Sequence, residues 1–358
     1  MKNHRILVGM SGGVDSSVCA LLLQRQGWEV QGLMLELCSG GAGSAGSAGS
    51  AADARAVAEH LGIPFSVHDG RAAFSAQVMA DFAESYRTGQ TPNPCIVCNR
   101  RVKFAQMLSA ADALGCAQIA TGHYARVEFD GARGRYLLKK GKNLQKDQSY
   151  VLYRLTQAQL ARTQMPLGEI DSKDAIRALA AEAGLRVAQK KDSQDICFIP
   201  DGDYVAFLRR QGVALTPGDF VDEAGRVLGR HRGLPCYTTG QRKGLGVGGS
   251  AYPLYVLRKD AKTNTVVLGP EEHLYSGRTV IEQCNWIAFE DLAEPVRCTA
   301  KTRYSQTEAA ATVSPLPGGR AEVVFDTPQR ALTAGQSAVF YDGDTVLGGG
   351  WICAQEEY

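Results

Sequence analysis

The chain lacks any apolar run long enough to cross a bilayer. The longest, Ile6–Met10 and Val18–Leu23, fall far short of the roughly 20 residues that a span needs. It also lacks a dominant charge: Lys and Arg number 39 against 37 Asp and Glu, a formal net charge of +2. The first residues, Met1-Lys2-Asn3-His4-Arg5, lead straight into an Ile-Leu-Val run and a glycine loop, without the extended apolar stretch of a signal peptide. Ten cysteines in 358 residues are too sparse and irregular for a disulfide scaffold, so a reducing cytoplasm is expected. Any special cysteine should then be catalytic or metal-binding. With 44% hydrophobic and 21% charged residues the composition is that of a soluble globular protein, which rules out wholesale disorder, collagen and coiled coil. The length suggests two or three domains.

The near-zero net charge hides a local excess. Between Arg100 and Lys146 stand ten basic residues: Arg100, Arg101, Lys103, Arg126, Arg133, Arg135, Lys139, Lys140, Lys142 and Lys146. Only Asp112, Glu128 and Asp130 oppose them, an excess of seven that leaves the rest of the chain at −5. Such a stretch suits a phosphate backbone, and it equally suits a solvated basic face.

The first two hundred residues alternate strand and helix signals. Strands are expected at Ile6–Met10, Val30–Leu37, Phe65–His68 and Gln118–Ala120. Helices are expected at Ser16–Gln26, Asp53–Leu61, Phe74–Arg87, Arg101–Leu114, Thr156–Thr163 and Ser172–Ala183. The rhythm implies an α/β domain with a parallel sheet, over about residues 1–200. Gly40–Ser50, GGAGSAGSAGS, reads as a flexible linker, regular enough to suggest an engineered loop. A helix at Gly202–Arg210 follows, and from about Gln211 the texture becomes β-rich. Runs at Leu254–Arg258, Thr265–Leu268, Thr279–Ile281, Ala321–Phe325 and Ala338–Tyr341 are separated by turns. Two small barrel-like all-β domains are expected, about 201–273 and 274–358.

The densest local signal is Gly9-Met10-Ser11-Gly12-Gly13-Val14-Asp15-Ser16-Ser17, between a buried strand and a helix. Glycines let the backbone approach a phosphate, and free N–H groups at the helix start point at the anion. Ser11, Ser16 and Ser17 supply hydroxyls. Asp15 would repel bare phosphate, so its useful role is to hold a Mg2+ ion bridging phosphates. The lysine of a Walker loop is missing. An ordinary strand–helix turn is the plainer alternative, but the order Ser-Gly-Gly-x-Asp-Ser resembles the PP-loop of ATP pyrophosphatases, and ATP is the expected nucleotide.

The second signal is Thr91-Pro92-Asn93-Pro94-Cys95-Ile96-Val97-Cys98-Asn99. With a helix opening near Arg100, the Cys98 thiol is expected at a helix N-terminus beside Arg100 and Arg101, with a lowered pKa. Cys197 lies in a third motif, Asp192-Ser193-Gln194-Asp195-Ile196-Cys197-Phe198-Ile199. The other seven cysteines, Cys19, Cys38, Cys116, Cys236, Cys284, Cys298 and Cys353, read as buried small hydrophobes. No second Cys-x-x-Cys or Cys/His pair completes a four-ligand zinc site.

These motifs occur in one order with Ala-Thr-Gly-His-Tyr, Lys-Asp-Gln-Ser-Tyr and Thr-Thr-Gly-Gln-Arg-Lys-Gly-Leu. The combination resembles the bacterial tRNA-specific 2-thiouridylase family, from Val8 to Leu347-Gly348-Gly349-Gly350-Trp351-Ile352. The resemblance implies a PP-loop domain followed by two β-barrel domains that help to grip tRNA. It places Gly9, Met10, Ser11, Gly12, Gly13, Val14, Asp15, Ser16, Met34 and Gly122 at ATP, and Asn93, Pro94 and Cys95 against the target base. It assigns His123, Asp147, Gln148, Ser149, Arg303, Tyr304 and Gln336 to tRNA. In the family's scheme ATP adenylates the 2-oxygen of the wobble uridine. A persulfide on the residue matching Cys197 then delivers sulfur, with the residue matching Cys98 as partner thiol. The partners implied are tRNA and a sulfur donor, with no membrane.

The chain departs from the family pattern at Cys95, where an Asp is usual. Cys95, Cys98 and Cys197 resemble the three-thiolate set of cluster-dependent tRNA thiolases, so a [4Fe–4S] cluster on these three is expected, with persulfide relay as the alternative. A non-catalytic RNA-binding protein with a structural metal is the reading from another class. It would need neither the pyrophosphatase loop nor Cys197.

Overall fold

A computed structural model of the chain describes residues 4–38, 47–190, 196–249 and 252–354. The first expected strand is present as β1 (Arg5–Gly9), whose Ile6, Leu7 and Val8 are completely buried, as a central strand covered on both faces must be. Helix α1 (Val14–Arg25) follows, then β2 (Glu29–Glu36), helix α2 (Ser47–Leu61) and β3 (Phe65–Asp69). The α2 helix starts six residues before the expected one, so residues 47–50 of the supposed linker belong to its first turn. Residues 40–46 of that stretch lie outside the described residues.

Two helices each carry a π-helical insert. Arg71–Phe74, Ser75–Met79 and Ala80–Arg87 run together as α3, and Pro94–Val97, Cys98–Lys103 and Phe104–Ala113 as α4. Asn93 caps α4 by accepting the Cys95 N–H at 3.1 Å, and Pro94 supplies a pre-set φ in the first turn. The helix therefore begins well before Arg100, and Cys98 sits inside it.

Strand β4 (Gln118–Ala120) leads into a hairpin, β5 (Ala125–Asp130) and β6 (Arg135–Lys140), before the chain returns through α5 (Gln157–Ala161) to β7 (Thr163–Gln164). Helix α6 (Lys173–Glu182) completes the unit. The sheet order is β3-β2-β1-β4-β7, with every pairing parallel. The order reverses between β1 and β4, and in open parallel sheets the crevice beyond the carboxyl ends at such a point is where ligands bind. The segments leaving β1, β2 and β4 all emerge there: the glycine loop, Leu37-Cys38, and Thr121-Gly122-His123.

The β-rich half forms two sheets. The first has the order β10-β11-β8-β9, from β8 (Gly218–Val221), β9 (Val227–His231), β10 (Tyr255–Asp260) and β11 (Thr265–Gly269). The second uses β12 (Tyr275–Trp286), β13 (Val296–Lys301), β14 (Ala309–Leu316), β15 (Arg320–Arg330), β16 (Ser337–Asp342) and β17 (Thr345–Ile352). Pairing of β12 with β17 closes these six into a barrel. The β5–β6 hairpin joins the same sheet through Lys139 opposite Thr345. The N-terminal domain thus lends a hairpin to the C-terminal sheet. Among the described residues no helix is long and apolar enough to cross a membrane.

Candidate active site

The glycine loop turns from β1 into α1 and uses its own hydroxyls to hold shape. The Ser11 N–H donates to Ser16 Oγ at 3.1 Å, while Ser16 and Ser17 donate to the Gly13 carbonyl at 3.1 and 2.8 Å. Gly13, the α1 N-cap, provides no side-chain acceptor, so the first N–H groups of a twelve-residue helix remain directed at an incoming anion.

Gly12 is required twice over. Its φ of +71° is left-handed, and a Cβ there would stand 2.2 Å from the Ser50 carbonyl oxygen of α2. Gly12→Ala is expected to cost about 1–3 kcal/mol of stability and to weaken ATP binding, as urea unfolding and nucleotide titration would show. A Cβ on Gly122 would likewise lie 2.9 Å from both Asp15 C and Ser16 N, so this glycine lets the β4 loop seat directly on the α1 N-terminus.

Asp15 does not face solvent alone. Its carboxylate accepts from the Tyr124 hydroxyl at 2.6 Å and from the Lys173 ammonium at 2.7 and 2.9 Å. Lys190 donates to the Gly12 carbonyl at 2.9 Å and to Asp53 at 2.6 Å. Two lysines therefore flank the loop, supplying the positive charge that the absent Walker lysine would have given. Neither belongs to a local motif, and sequence reasoning missed both. Their signal would have been the pairing of an unmatched acid, Asp15, with a remote base.

Helix α4 brings the thiols to the same crevice. A Cβ on Gly9 would touch the Met107 side chain at 3.0 Å, which seats α4 on β1. His123 stacks on Phe104 with ring centroids 5.9 Å apart, and its Nδ1 is 2.8 Å from Thr121 Oγ1. Burial first, and the Lys103 charge second, hold His123 well below its ordinary pKa, so it is neutral at pH 7.

The Lys103 charge draws down the pKa values of Cys95, Cys98 and Cys197. Desolvation outweighs it. Burial pushes Cys98 up to about 11, and Cys95, though exposed at its edge, is also raised by desolvation. This reverses the expectation of a lowered Cys98 pKa: the thiol is in the buried second turn, not at the helix N-terminus. Asn99 beside it donates to the Val151 carbonyl at 3.1 Å, and Gln159 donates to the Arg100 carbonyl at 2.9 Å. The widened π turn thus has its backbone and side chains tied to the following segment, a geometry often found at functional sites.

Cys197 is exposed but anchored by its neighbour. Phe198 packs edge-on against Phe74 and Phe82, with centroids 5.6 and 5.4 Å apart, in the apolar cluster that contains Cys98. The preceding motif residues 191–195 lie outside the described residues. Cys38, expected to be a buried hydrophobe, is instead half-buried, and the neighbouring Cys197 thiol draws its pKa down. The thiols of Cys95, Cys98 and Cys197 sense one another's charge. As arranged they do not fit a cluster: among the described residues no three His, Cys, Asp or Glu side chains are placed to hold a metal ion together.

Three models of known domains match the chain. Residues 4–201 match the tRNA methyl transferase HUP domain, 206–270 the tRNA methyl transferase PRC-barrel domain and 276–352 the aminomethyltransferase β-barrel domain. A tRNA-specific 2-thiouridylase of Acetivibrio thermocellus is 49% identical over 363 residues, covering 98% of this chain and all of that one. Its counterpart in Syntrophotalea carbinolica is 50% identical over 354 residues, covering 98% and 99%, and that of Heliobacterium modesticaldum 49% over 355, covering 97% and 92%. The chain belongs to the tRNA-specific 2-thiouridylase family.

The residues that the thiouridylase resemblance assigned to tRNA divide by placement. Tyr304, 41% exposed, reaches from the C-terminal barrel to the neighbourhood of Cys95 and meets Tyr150 edge-on at 6.0 Å. Gln336 donates to the Thr91 carbonyl at 2.7 Å, and the Thr91 N–H donates to Ala334 O at 2.9 Å, which docks the Thr-Pro-Asn-Pro segment on the same barrel. Arg303 donates to Thr239 O, Ala331 O and Thr333 Oγ1, joining the two β domains. Asp147 and Ser149 turn inward: Ser149 is fully buried and donates to Asp147 at 2.7 Å, while Gln148 accepts from the Tyr124 N–H at 3.0 Å. In this arrangement those three hold the 141–149 turn instead of presenting side chains outward. Met34 is buried in β2.

The basic stretch is also less free than its sequence suggests. At least six of its ten cations pair with carboxylates: Arg101 with Asp81, Arg126 with Asp344, Arg133 with Asp130, Lys139 with Glu128, Lys140 with Glu308 and Lys142 with Glu169. Four of those acids lie outside the stretch, so folding largely neutralises it. Arg100, on the cysteine helix, senses the charges of both Arg101 beside it and Arg154 from the segment before α5.

Proposed function

We propose that this chain is an ATP-dependent tRNA uridine 2-sulfurtransferase acting on the wobble position. The observation that carries the reading is the meeting of a pyrophosphatase-type loop and a set of cysteine thiols in one crevice, at the carboxyl edge of a parallel sheet. Near-half identity to named 2-thiouridylases over nearly the full chain supports it.

The carbonyl oxygen of uridine is a poor leaving group, so it must be activated before sulfur can displace it. Uridine O2 attacks the α-phosphorus of ATP and pyrophosphate leaves, held by the α1 N-terminus with Lys173 and Lys190. Gly9–Ser16 line that site, with Met34 beneath it and Gly122 closing it. Mg2+ would be held by Asp15, displacing Lys173 from the carboxylate, and would neutralise phosphate charge. Sulfur then adds at C2 and AMP departs with the former O2. Cys197, exposed and fixed by Phe198, carries the incoming sulfur as a persulfide received as sulfane sulfur from a persulfide donor protein. The Cys98 thiol then attacks Cys197 Sγ, releasing the outer sulfur as hydrosulfide and leaving a Cys98–Cys197 disulfide that an external thiol reductant reopens. Inorganic sulfide, already reduced, would instead add at C2 directly. Asn93, Pro94 and Cys95 face the base. Neutral His123, exposed Tyr304, and Arg100 and Arg101 of α4 with the nearby Arg154 complete the tRNA contacts, with Arg303 and Gln336 holding the barrel domains in place and Asp147, Gln148 and Ser149 supporting the turn beside them. A cytoplasmic location follows from the substrate.

A second reading rests on the mutual proximity of Cys95, Cys98 and Cys197, which would become ligands of a [4Fe–4S] cluster if the three sulfurs closed together. Anaerobic purification with iron and sulfide quantification separates the two. Full activity from a persulfide donor in iron-free enzyme is expected, and activity that tracks iron content would replace the persulfide reading with the cluster.

A further inference from the structure

We propose that Tyr124 is a positioning residue for the adenylating step: its hydroxyl sets the Asp15 carboxylate for Mg2+, and its ring keeps the Lys173 ammonium in place once that carboxylate turns to the metal. The proposal rests on the reading of Asp15 as the metal's protein ligand. Tyr124 closes the loop that leaves β4 and directly precedes β5, and it is buried. Its backbone is held by one residue through two bonds: the N–H donates to Gln148 Oε1 at 3.0 Å, and the carbonyl accepts the Gln148 N–H at 2.9 Å. Gly141 packs just as closely, since a Cβ there would lie 2.9 Å from the Tyr124 carbonyl oxygen. With Gly122 seated on the α1 N-terminus, the side chain is fixed before any ligand arrives. Its hydroxyl donates to Asp15 Oδ1 at 2.6 Å, a short charge-assisted bond.

The two oxygens of Asp15 are used differently. Tyr124 meets Oδ1 alone, whereas Lys173 Nζ lies 2.7 Å from Oδ1 and 2.9 Å from Oδ2. Among the described residues Lys173 is the one donor to Oδ2, so that oxygen opens to a cation when the ammonium withdraws. One carboxylate oxygen fits Mg2+, whose small octahedral shell is otherwise completed by phosphate oxygens and water. The Tyr124 hydroxyl remains on Oδ1 and stops the carboxylate from turning away, as outer-shell partners do at metal sites.

The ring does a separate job. Lys173 Nζ stands over it, 5.8 Å from its centre, within the range of cation–π attraction. An ammonium that gives up the carboxylate is therefore still held beside the glycine loop, where pyrophosphate gathers charge. The hydroxyl thus acts on metal affinity and the ring on the departure of pyrophosphate.

The test uses the full chain with Mn2+ as the metal probe and a non-hydrolysable ATP analogue, unbound Mn2+ being read by electron paramagnetic resonance. Tyr124→Phe, which deletes only the hydroxyl, should bind Mn2+ roughly tenfold more weakly in the presence of the analogue. In tRNA-dependent ATP–pyrophosphate exchange the same variant should need roughly tenfold more Mg2+ and recover most of its rate when Mg2+ is raised. Tyr124→Leu and Tyr124→Met, which delete the ring as well, should lose a further three- to tenfold, roughly, in the rate at saturating Mg2+. Equal saturating rates in the Phe, Leu and Met variants would overturn the share given to the ring. Wild-type Mn2+ affinity in Tyr124→Phe, with exchange falling only as melting temperature falls, would reduce Tyr124 to a packing residue. Asp15→Asn separates this from the reading beneath it. Loss of Mn2+ binding in Asp15→Asn but not in Tyr124→Phe would overturn the positioning role and leave Asp15 as the ligand. Wild-type Mn2+ binding by Asp15→Asn would overturn both.

Discussion

Cys197→Ser is expected to abolish thiolated uridine while leaving tRNA-dependent pyrophosphate release intact. A serine oxygen is nearly isosteric with sulfur but cannot carry a sulfane sulfur, so the covalent route is closed. The loss should be about 1,000-fold or more, the scale on which removing a covalent nucleophile acts. The adenylating half of the site should not sense the change. Cys197 is fixed through Phe198 to the α3–α4 cluster, and none of the bonds that shape the glycine loop involves it. Nucleoside analysis of the tRNA together with a pyrophosphate assay checks both halves. Loss of pyrophosphate release as well would mean that Cys197 serves in activation, against the division of labour drawn above.

The complementary substitution, Asp15→Ala, is expected to stop the first half-reaction with tRNA binding preserved. Asp15 fixes the Tyr124 hydroxyl and the Lys173 ammonium, and it is the group able to hold Mg2+ against the phosphates. Removing it takes away the carboxylate that Lys173 binds at the point where pyrophosphate must depart. A fall of roughly 100- to 1,000-fold in ATP–pyrophosphate exchange is expected, typical of losing one preorganised electrostatic contact to a developing charge. Filter binding of tRNA should be unchanged, because Arg100 and Arg101 lie on α4 and not on the loop. Retained exchange would show that the metal and Lys173 are positioned by other groups.

Some of this was legible in the sequence and some was not, for physical reasons. The glycine loop declares itself because its constraints are local: a positive φ at Gly12, a helix starting at once, and hydroxyls that bond back to the loop's own backbone. The parallel sheet is legible through apolar runs such as Ile6-Leu7-Val8, which only a strand buried on both faces would have. The start of α4 was misplaced although Asn93 and Pro94 carry its cap and first-turn signals, and that error turned the Cys98 pKa the wrong way. Burial of the second helical turn depends on α3 and Phe198, which the motif does not contain.

Long-range pairings were the least legible. The acids that neutralise the basic stretch come from Asp81, Glu169, Glu308 and Asp344. Lys173 and Lys190 reach the phosphate loop from well over a hundred residues away. The β5–β6 hairpin hides between helices in the sequence because its partner strand, β17, lies two hundred residues later. Cys38 sat among seven cysteines with no motif, and its only distinguishing signal, emergence at the carboxyl end of β2 beside the loop, becomes visible once the strand order is known.

The central claim is that ATP cleavage and sulfur transfer occur on one uridine in one crevice. The most direct measurement is nucleoside analysis of tRNA incubated anaerobically with the enzyme, ATP and a persulfide donor, with AMP quantified in the same reaction. One AMP for each 2-thiouridine, and neither product without the other, is the predicted result. AMP and pyrophosphate accumulating over unmodified uridine, or thiolated uridine forming without ATP, would contradict it.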